Sequence, residues 1–255
     1  MDMELQGARV IVTAGAGGIG RAIVAAFLDA GARVAVCDID TAALATLPRA
    51  VFARPVDVSD RAALADFMDA AVAALGGLDC LVNNAGIAGP TGAVEDLDPA
   101  EVERCLSVCL MSQFVTTARA VTHLRASANP SIVNISSLAG RLGFRLRTPY
   151  AAAKWGVVGL TKSLAMELGP DNIRVNAVLP GLVAGERQRR VLQARADARG
   201  IGFEQAEEEA FRFTSLPGYV TPEQIAGQVV FLASARGRMI SGQALSVCGD
   251  TGMLG

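Results

Sequence analysis

The chain has 255 residues, a length that corresponds to one large domain or two small ones. Its 23 Lys and Arg residues against 25 Asp and Glu residues give a net charge of −2, which argues against nucleic-acid binding, because that function usually needs a basic excess. Hydrophobic residues make up 51%, which excludes a disordered chain, yet no uninterrupted apolar run reaches the roughly 18 residues of a membrane span. Five scattered cysteines and one histidine offer little for a metal site and favour a reducing, cytoplasmic location.

Short β-branched runs alternate along the chain with longer stretches rich in Ala and Leu. The seven predicted strands are residues 9–12, 33–36, 51–56, 78–82, 131–135, 173–178 and 244–247. The six predicted helices between them are residues 18–30, 41–47, 60–75, 98–124, 148–168 and 221–234. Near-continuous apolar strands are typical of strands buried on both faces, and repeated βα units predict a parallel sheet covered by helices. We therefore predict one doubly wound α/β domain over residues 1–255.

Residues 182–220 interrupt this alternation. They contain no strand signal, and their arginines followed by glutamates predict two short polar helices. Ligands of open α/β sheets bind outside the carboxyl ends of the strands, so an insert after a strand end is placed to cover a site. We interpret residues 182–220 as a substrate lid, and a solvated helical hairpin is the alternative.

A glycine-rich turn joins the first strand to the first helix. Residues 13–20 read TAGAGGIG, in which Gly15, Gly17 and Gly20 match G-x-G-x-x-G. Glycines at this spacing let the backbone approach a pyrophosphate, and the following helix directs its N–H groups at that phosphate. The position between a strand and a helix therefore predicts dinucleotide binding.

An acidic residue at the end of the second strand predicts which dinucleotide is bound. Asp38 lies 18 residues after Gly20, where a carboxylate accepts hydrogen bonds from both ribose hydroxyls and repels a 2′-phosphate. The next residues, Ile39 and Asp40, bring no positive charge. The pattern favours NAD over NADP, and an ordinary cap at the strand end is the alternative reading of Asp38.

Three polar residues after the fifth strand have the chemistry of a proton-transfer site. Tyr150 and Lys154 are four residues apart in a helix that begins at Thr148-Pro149, so the two side chains share one face. The ammonium group favours the phenolate, which can exchange a proton with an alcohol or carbonyl oxygen. Ser137, thirteen residues before Tyr150, can bind the same oxygen.

With the glycine turn, these residues resemble the classical short-chain dehydrogenase/reductase family. The further matches are Asp57-Val58, Asn83-Asn84-Ala85-Gly86 and Pro180-Gly181. The resemblance extends from about residue 5 to residue 252 and implies a Rossmann-like fold with hydride transfer to or from nicotinamide. It also implies that Ser137, Tyr150 and Lys154 are catalytic and that the protein is a homotetramer.

The resemblance also assigns residues to the cofactor. In the glycine turn these are Gly15, Gly18 and Ile19. The adenine and adenosine contacts are Asp57, Val58, Asn84, Ala85 and Gly86. The nicotinamide end would be held by Tyr150, Lys154, Pro180 and Val183.

The chain departs from the family pattern at three positions. Ala14 stands where the first glycine of the family turn is expected, although Gly15 follows and is expected to keep the turn. Cys109 replaces an asparagine whose backbone carbonyl serves a proton relay, so the side-chain amide is lost. Gly185 replaces a threonine that binds the carboxamide of the cofactor.

Arginines border the expected substrate pocket on two sides. They are Arg141, Arg145 and Arg147 before the catalytic tyrosine, and Arg187, Arg189 and Arg190 in the lid. Because guanidinium groups recognise carboxylates and sulfonates, we predict a small polar, anionic hydroxy compound, such as a sugar acid or polyol derivative, with Arg145, Arg147 and Arg187 as its contacts.

Two other functions stay open. A 3-oxoacyl-thioester reductase is disfavoured by Asp38, since biosynthetic reductases more often use NADP. A catalytically idle dinucleotide-binding regulator is suggested by Cys109 and Gly185, but Tyr150 and Lys154 argue against it.

Overall fold

The computed structural model describes residues 3–254, and Met1, Asp2 and Gly255 lie outside the described residues. Seven parallel strands form one sheet in the order β3-β2-β1-β4-β5-β6-β7, which confirms the predicted doubly wound fold. The strands are β1 (Arg9–Thr13), β2 (Arg33–Asp38), β3 (Phe52–Pro55), β4 (Cys80–Asn83), β5 (Ser131–Ile135), β6 (Arg174–Pro180) and β7 (Ala244–Val247). Because the strand order reverses between β1 and β4, a crevice opens at their carboxyl ends, where ligands of this fold bind.

Helices cover both faces of the sheet, as the alternating sequence predicts. They are α1 (Gly18–Asp29), α2 (Thr41–Ala45), α3 (Arg61–Leu75), α4 (Pro99–Leu106), α5 (Ser112–Leu124), α6 (Thr148–Leu168), α7 (Glu186–Arg199), α8 (Phe203–Phe211) and α9 (Pro222–Ala233). On one face α1 and α9 bury apolar side chains such as Phe27 and Ile225 against the strands. On the other face α3 and α5 do the same with Phe67 and Leu124. Burying side chains of this size stabilises the fold by about 1.5–3 kcal/mol each.

The predicted helix 98–124 is continuous but not uniform. A π-helical turn, Ser107–Met111, joins α4 to α5. By length and composition this is the one helix in residues 3–254 that could cross a membrane, but 44% of its apolar window is buried inside the protein. Cys105, Ala120 and Leu124 are fully buried, as expected of a core helix.

A buried polar network links the two central strands to the helices above them. The Asn83 side-chain amide donates to Asn134 Oδ1 over 2.9 Å, and the Asn134 amide donates to Thr161 Oγ1 over 2.9 Å. Thr116 Oγ1 completes the network by donating to Asn83 Oδ1 over 2.6 Å. All four side chains are essentially inaccessible to solvent, so every bond in this network compensates the desolvation of a polar group.

Removal of one member should leave its partners unpaired in the core. We expect Asn134→Ala to lower the free energy of unfolding by about 2 kcal/mol, because the Asn83 amide and the Thr161 hydroxyl lose partners. Urea denaturation measures this change as a lower midpoint at unchanged m-value. The exposed Gln205→Ala is the matched control, with an expected change below about 0.5 kcal/mol. A loss as small as that in Asn134→Ala would contradict the prediction.

Candidate active site

The segments that follow β1, β4 and β5 meet at one edge of the sheet. Asn84 joins the first two, because its side-chain amide donates to the carbonyls of Thr13 and Ala14 over 3.0 and 2.9 Å. The backbone amides of Asn84 and Ala85 both donate to Thr13 Oγ1 over 3.0 Å. This bonding fixes the glycine turn against the end of β4 and forms one side of the crevice.

The start of α1 has the properties of a phosphate site. Asp40, Asp60 and Asp98 cap the helices that follow them, whereas α1 begins at Gly17 without any side-chain cap. A Cβ atom built at Gly17 or Gly18 would meet nothing within 4 Å, so the turn faces open space. Free N–H groups and the positive end of a 12-residue helix therefore point into an open cradle, which fits the pyrophosphate of a dinucleotide.

The glycine turn keeps its shape in a way that the sequence does not reveal. Ala14 has a φ of +51°, in the left-handed region, where glycine normally stands. Gly15 does not supply that conformation, contrary to expectation, and instead allows close packing on β2. A Cβ there would lie 2.8 Å from Val36 Cγ1.

The predicted adenosine contacts lie at the ends of β2 and β3. Asp38 Oδ2 accepts a hydrogen bond from the Ala16 amide over 3.0 Å, so its carboxylate borders the glycine turn. Asp57 Oδ1 accepts bonds from the amide and hydroxyl of Ser59, which lower the pKa of the Asp57 carboxyl. Val58 is buried beside it. Asp38 and Asp57 thus lie at the ends of β2 and β3, where the resemblance expects the adenosine.

The end of β5 is bonded directly to α6. The buried Lys154 ammonium donates to the Ile135 carbonyl over 2.8 Å, and the Ser136 hydroxyl donates to the Lys154 carbonyl over 2.8 Å. A Cβ on Gly140 would lie 2.5 Å from both that carbonyl oxygen and Ser136 Oγ, so only glycine permits this approach. Ser137 therefore follows immediately after a segment fixed against Lys154.

The catalytic candidates have free hydrogen-bonding capacity. Ser137 Oγ accepts a bond from the Ala139 amide over 3.1 Å, which leaves its O–H free to donate. The half-buried Tyr150 hydroxyl has no hydrogen-bond partner within residues 3–254. Lys154 Nζ lies 5.7 Å from the Tyr150 ring centroid. A phenol, an ammonium and a hydroxyl on adjoining segments can together transfer a proton to or from a substrate oxygen.

Cys109 introduces a titratable thiol where the resemblance implies a neutral amide. It lies in the π-helical turn, and its thiol interacts with Cys105 and with the Ile87 amide, the latter over 3.4 Å. The hydrogen bond with Cys105, followed by the charge of Lys154, lowers the pKa of Cys109 to about 6, while the same bond raises the pKa of Cys105. The Cys109 carbonyl accepts a bond from the Gln113 amide over 3.3 Å. The Cys109 thiol therefore lies within the electrostatic influence of Lys154.

The predicted substrate arginines differ in their placement. Arg187 is exposed, and its Nη1 donates to the Gly86 carbonyl over 3.0 Å. Arg187 and Arg190 line a cavity of about 290 Å³ between α7 and residues 86–91. Neither Ser137 nor Tyr150 lines that cavity. Arg145 is exposed.

Arg147 is instead buried, with 2% of its surface exposed. Its Nη2 donates to the Ala88 carbonyl, whereas Nε and Nη1 have no partner. Phe144 and the lid residue Arg195 also belong to this region, because the guanidinium groups of Arg147 and Arg195 lie 5.2 and 5.7 Å from the centre of the Phe144 ring. The sequence prediction missed Phe144 and Arg195, although Arg195 shares the buried face of α7 with Leu192.

The lid region contains the two predicted helices, α7 and α8. Its two ends are joined where Val183 pairs with Val220. Pro180, which the resemblance assigns to the nicotinamide end, is the buried last residue of β6. Gly185 has a φ of +138°, a conformation that disfavours a threonine at this position.

The left-handed conformation of Ala14 gives a stability prediction. We expect Ala14→Gly to raise the free energy of unfolding by about 0.5 kcal/mol, because the relief of roughly 1 kcal/mol of backbone strain exceeds the added flexibility of the unfolded chain. Thermal unfolding measures the change. A lower melting temperature in Ala14→Gly than in the wild type would contradict the strain argument.

Comparisons with known proteins agree with this geometry. Residues 13–253 match the family described as enoyl-(acyl carrier protein) reductase. The chain is 41% identical over 174 residues to trans-4-hydroxycyclohexanecarboxylate dehydrogenase of Sinomonas cyclohexanicum, a match that covers 68% of this chain and 60% of that protein. It is 35% identical to a probable galactose dehydrogenase of Rhizobium meliloti, over 96% of this chain and 95% of the relative.

A solved structure has the same fold over nearly the whole chain. The ligand-free aldohexose dehydrogenase of Thermoplasma acidophilum superposes with a TM-score of 0.89 at 29% identity, covering 98% of this chain and 96% of the other. Fold, sequence similarity and the arrangement at the sheet edge agree, and the chain is an oxidoreductase acting on CH–OH groups that belongs to the short-chain dehydrogenase/reductase family.

Proposed function

We propose that this protein uses NAD to interconvert a secondary alcohol and a ketone on a small, polar, anionic substrate. The observation that carries the proposal is the placement of Ser137, Tyr150 and Lys154 on two segments bonded to each other at the ligand-binding edge of the sheet. Nicotinamide, when bound, supplies the acceptor or donor of the hydride. The chain's own residues supply the proton transfer and the positioning of substrate.

In the oxidative direction the Tyr150 phenolate takes the proton of the substrate hydroxyl, and the Ser137 O–H donates to the same oxygen. The Lys154 ammonium favours the phenolate electrostatically, while its bond to the Ile135 carbonyl holds the amine in place. Holding the reacting groups at bonding distance contributes most of the rate by removing translational and orientational freedom beforehand. In the reductive direction the same phenol returns the proton to the carbonyl oxygen.

The preference for NAD rests on Asp38. Its carboxylate borders the glycine turn, and its neighbours Ile39 and Asp40 carry no positive charge to accept a 2′-phosphate. The uncapped start of α1 supports binding of the pyrophosphate. These features favour NAD and count against the alternative acyl-thioester reductase. The description of the matching family, enoyl-(acyl carrier protein) reductase, supports that alternative.

The anionic substrate is supported by the positive charge around the crevice. Arg187 and Arg190 line the cavity between α7 and residues 86–91. Arg147 donates a hydrogen bond to the carbonyl of Ala88, which lines the same cavity. The Sinomonas relative acts, by its name, on a hydroxy carboxylate. The other two relatives act, by their names, on sugars, so a sugar acid would combine both features.

Location and assembly follow as expectations. All five cysteines are free, which fits a reducing cytoplasm. Met111 and Phe114 near the start of α5 and Trp155 and Met166 on α6 are exposed apolar side chains, which would be covered in the homotetramer that the family resemblance implies.

A panel of alcohols tests the function. We expect the wild-type protein to reduce NAD faster than NADP with at least one hydroxy acid, such as trans-4-hydroxycyclohexanecarboxylate or a sugar acid. Tyr150→Phe should lower kcat by about 10²–10⁴-fold, because the proton acceptor is lost. NAD binding by Tyr150→Phe, followed by nicotinamide fluorescence, controls for folding. Activity that survives this substitution would contradict the proposed chemistry, and activity restricted to NADPH with an acyl thioester would favour the alternative reductase.

The contribution of the lid arginine to substrate affinity is testable separately. We expect Arg187→Ala to raise KM for hydroxy acids about tenfold or more at nearly unchanged KM for neutral alcohols, because a charge-assisted hydrogen bond contributes about 1.5–3 kcal/mol. Arg33→Ala is the matched control, since Arg33 is an exposed arginine at the opposite edge of the sheet. Equal effects on anionic and neutral substrates would contradict an anion-binding role for Arg187.

A further inference from the structure

A series of contacts between cations and aromatic rings connects the lid to Tyr150. The Arg195 guanidinium carbon lies 5.7 Å from the Phe144 ring centroid, and that of Arg147 lies 5.2 Å from the same ring. Arg147 also lies 5.0 Å from the Tyr150 ring, and Lys154 lies 5.7 Å from it. Tyr150 therefore has two cations near its ring, and one of them has no role in the proton chemistry described above.

The burial of the Arg147 guanidinium is energetically unfavourable. No ion pair joins it to a carboxylate in residues 3–254, and two of its three guanidinium nitrogens have no partner. Burial lowers the pKa of Arg147, but a guanidinium stays protonated in proteins. A buried, unpaired charge destabilises a fold, so its presence points to a function that requires the charge.

The charges facing Tyr150 explain that requirement. Besides Lys154 and Arg147, the ring packs against Cys105 and Cys109 on the helix that contains the π-helical turn. The charge of Lys154 also lowers the pKa of the Cys109 thiol, so the lysine interacts with this thiol as well as with Tyr150. Ser137 contributes only a neutral hydroxyl. The charge of Arg187, on α7, lowers the pKa of both Arg147 and Cys109.

We propose that Arg147 is a positioning residue that stabilises the Tyr150 phenolate as a second cation, and that Phe144 and Arg195 hold it there when the lid is packed. The proposal rests on the proposed role of Tyr150 as the proton acceptor. A cation over the ring face both fixes the ring and attracts the negative charge of the phenolate.

The chain allows Tyr150 ionisation to be measured without substrate or cofactor. It has only two tyrosines, so in a Tyr219→Phe background the near-ultraviolet absorbance of tyrosinate reports Tyr150 alone. We expect Arg147→Met to move the midpoint of tyrosinate formation to higher pH by about one unit, because a nearby cation is lost. Arg147→Lys should give a smaller shift in the same direction, since it retains charge but not the planar group. Arg33→Met should give none.

Stability and kinetics separate this role from a structural one. Arg147→Met should keep or raise the melting temperature, because an unpaired buried charge is replaced by an apolar side chain of similar length. At the same time, the pH profile of kcat/KM for alcohol oxidation should move to higher pH. Phe144→Leu should produce part of this shift, because it removes the aromatic ring that contacts Arg147.

Several results would overturn the proposal. An unchanged tyrosinate midpoint in Arg147→Met, or in Phe144→Leu if Arg147→Met does not fold, removes the electrostatic role. Failure of both variants to fold assigns Arg147 to the structure alone. A higher KM for anions with an unchanged midpoint makes Arg147 a substrate contact instead. If Tyr150→Phe stays active but the midpoint shifts as expected, the proposed function fails while the interaction between Arg147 and Tyr150 stands.

Discussion

One hydrogen bond, from the Lys154 ammonium to the Ile135 carbonyl, holds the site together. It joins the end of a central strand to the first turns of α6, and thereby brings Ser137 to the helix that carries Tyr150. The bond is buried, so the ammonium cannot exchange this partner for water without exposing the core. The polar network of Asn83 and Asn134 fixes the same strands one residue earlier. The candidate catalytic residues are thus positioned by buried hydrogen bonds of the central strands.

The electrostatic character of the site follows from the same burial. Lys154 and Arg147 are both nearly inaccessible to solvent, and Arg187 adds a third cation at the pocket entrance. The charge of Lys154 lowers the pKa of the nearby Cys109 thiol. Charges interact more strongly in such a poorly hydrated region than at the surface. The buried cations therefore act strongly on any negative charge that forms or binds beside them.

Much of the fold could be predicted from the sequence because its signals are local. Apolar β-branched runs predict buried strands, and Asp98-Pro99 and Thr221-Pro222 mark the starts of α4 and α9. The glycine turn and the spacing of Tyr150 and Lys154 are likewise local patterns, so the candidate site could be placed on the fold before any contact was known.

The remaining features depend on contacts between distant segments. The left-handed conformation of Ala14 is imposed by its place between β1 and α1, where its carbonyl accepts a bond from Asn84. Arg147 was predicted as a substrate contact along with exposed arginines, because the sequence does not reveal that Phe144 and Tyr150 enclose it. The π-helical turn that contains Cys109 is likewise not indicated by helix propensities.

The most direct test of the catalytic arrangement is a crystal structure of the protein with NAD and an unreactive analogue of the hydroxy acid. We expect Tyr150 Oη and Ser137 Oγ to lie within about 3.2 Å of the same ligand oxygen, the distance that proton transfer requires. An analogue whose oxygen lies beyond about 4 Å from the Tyr150 hydroxyl, or a Tyr150 ring turned away from the crevice, would contradict the assignment of Tyr150 as the proton acceptor.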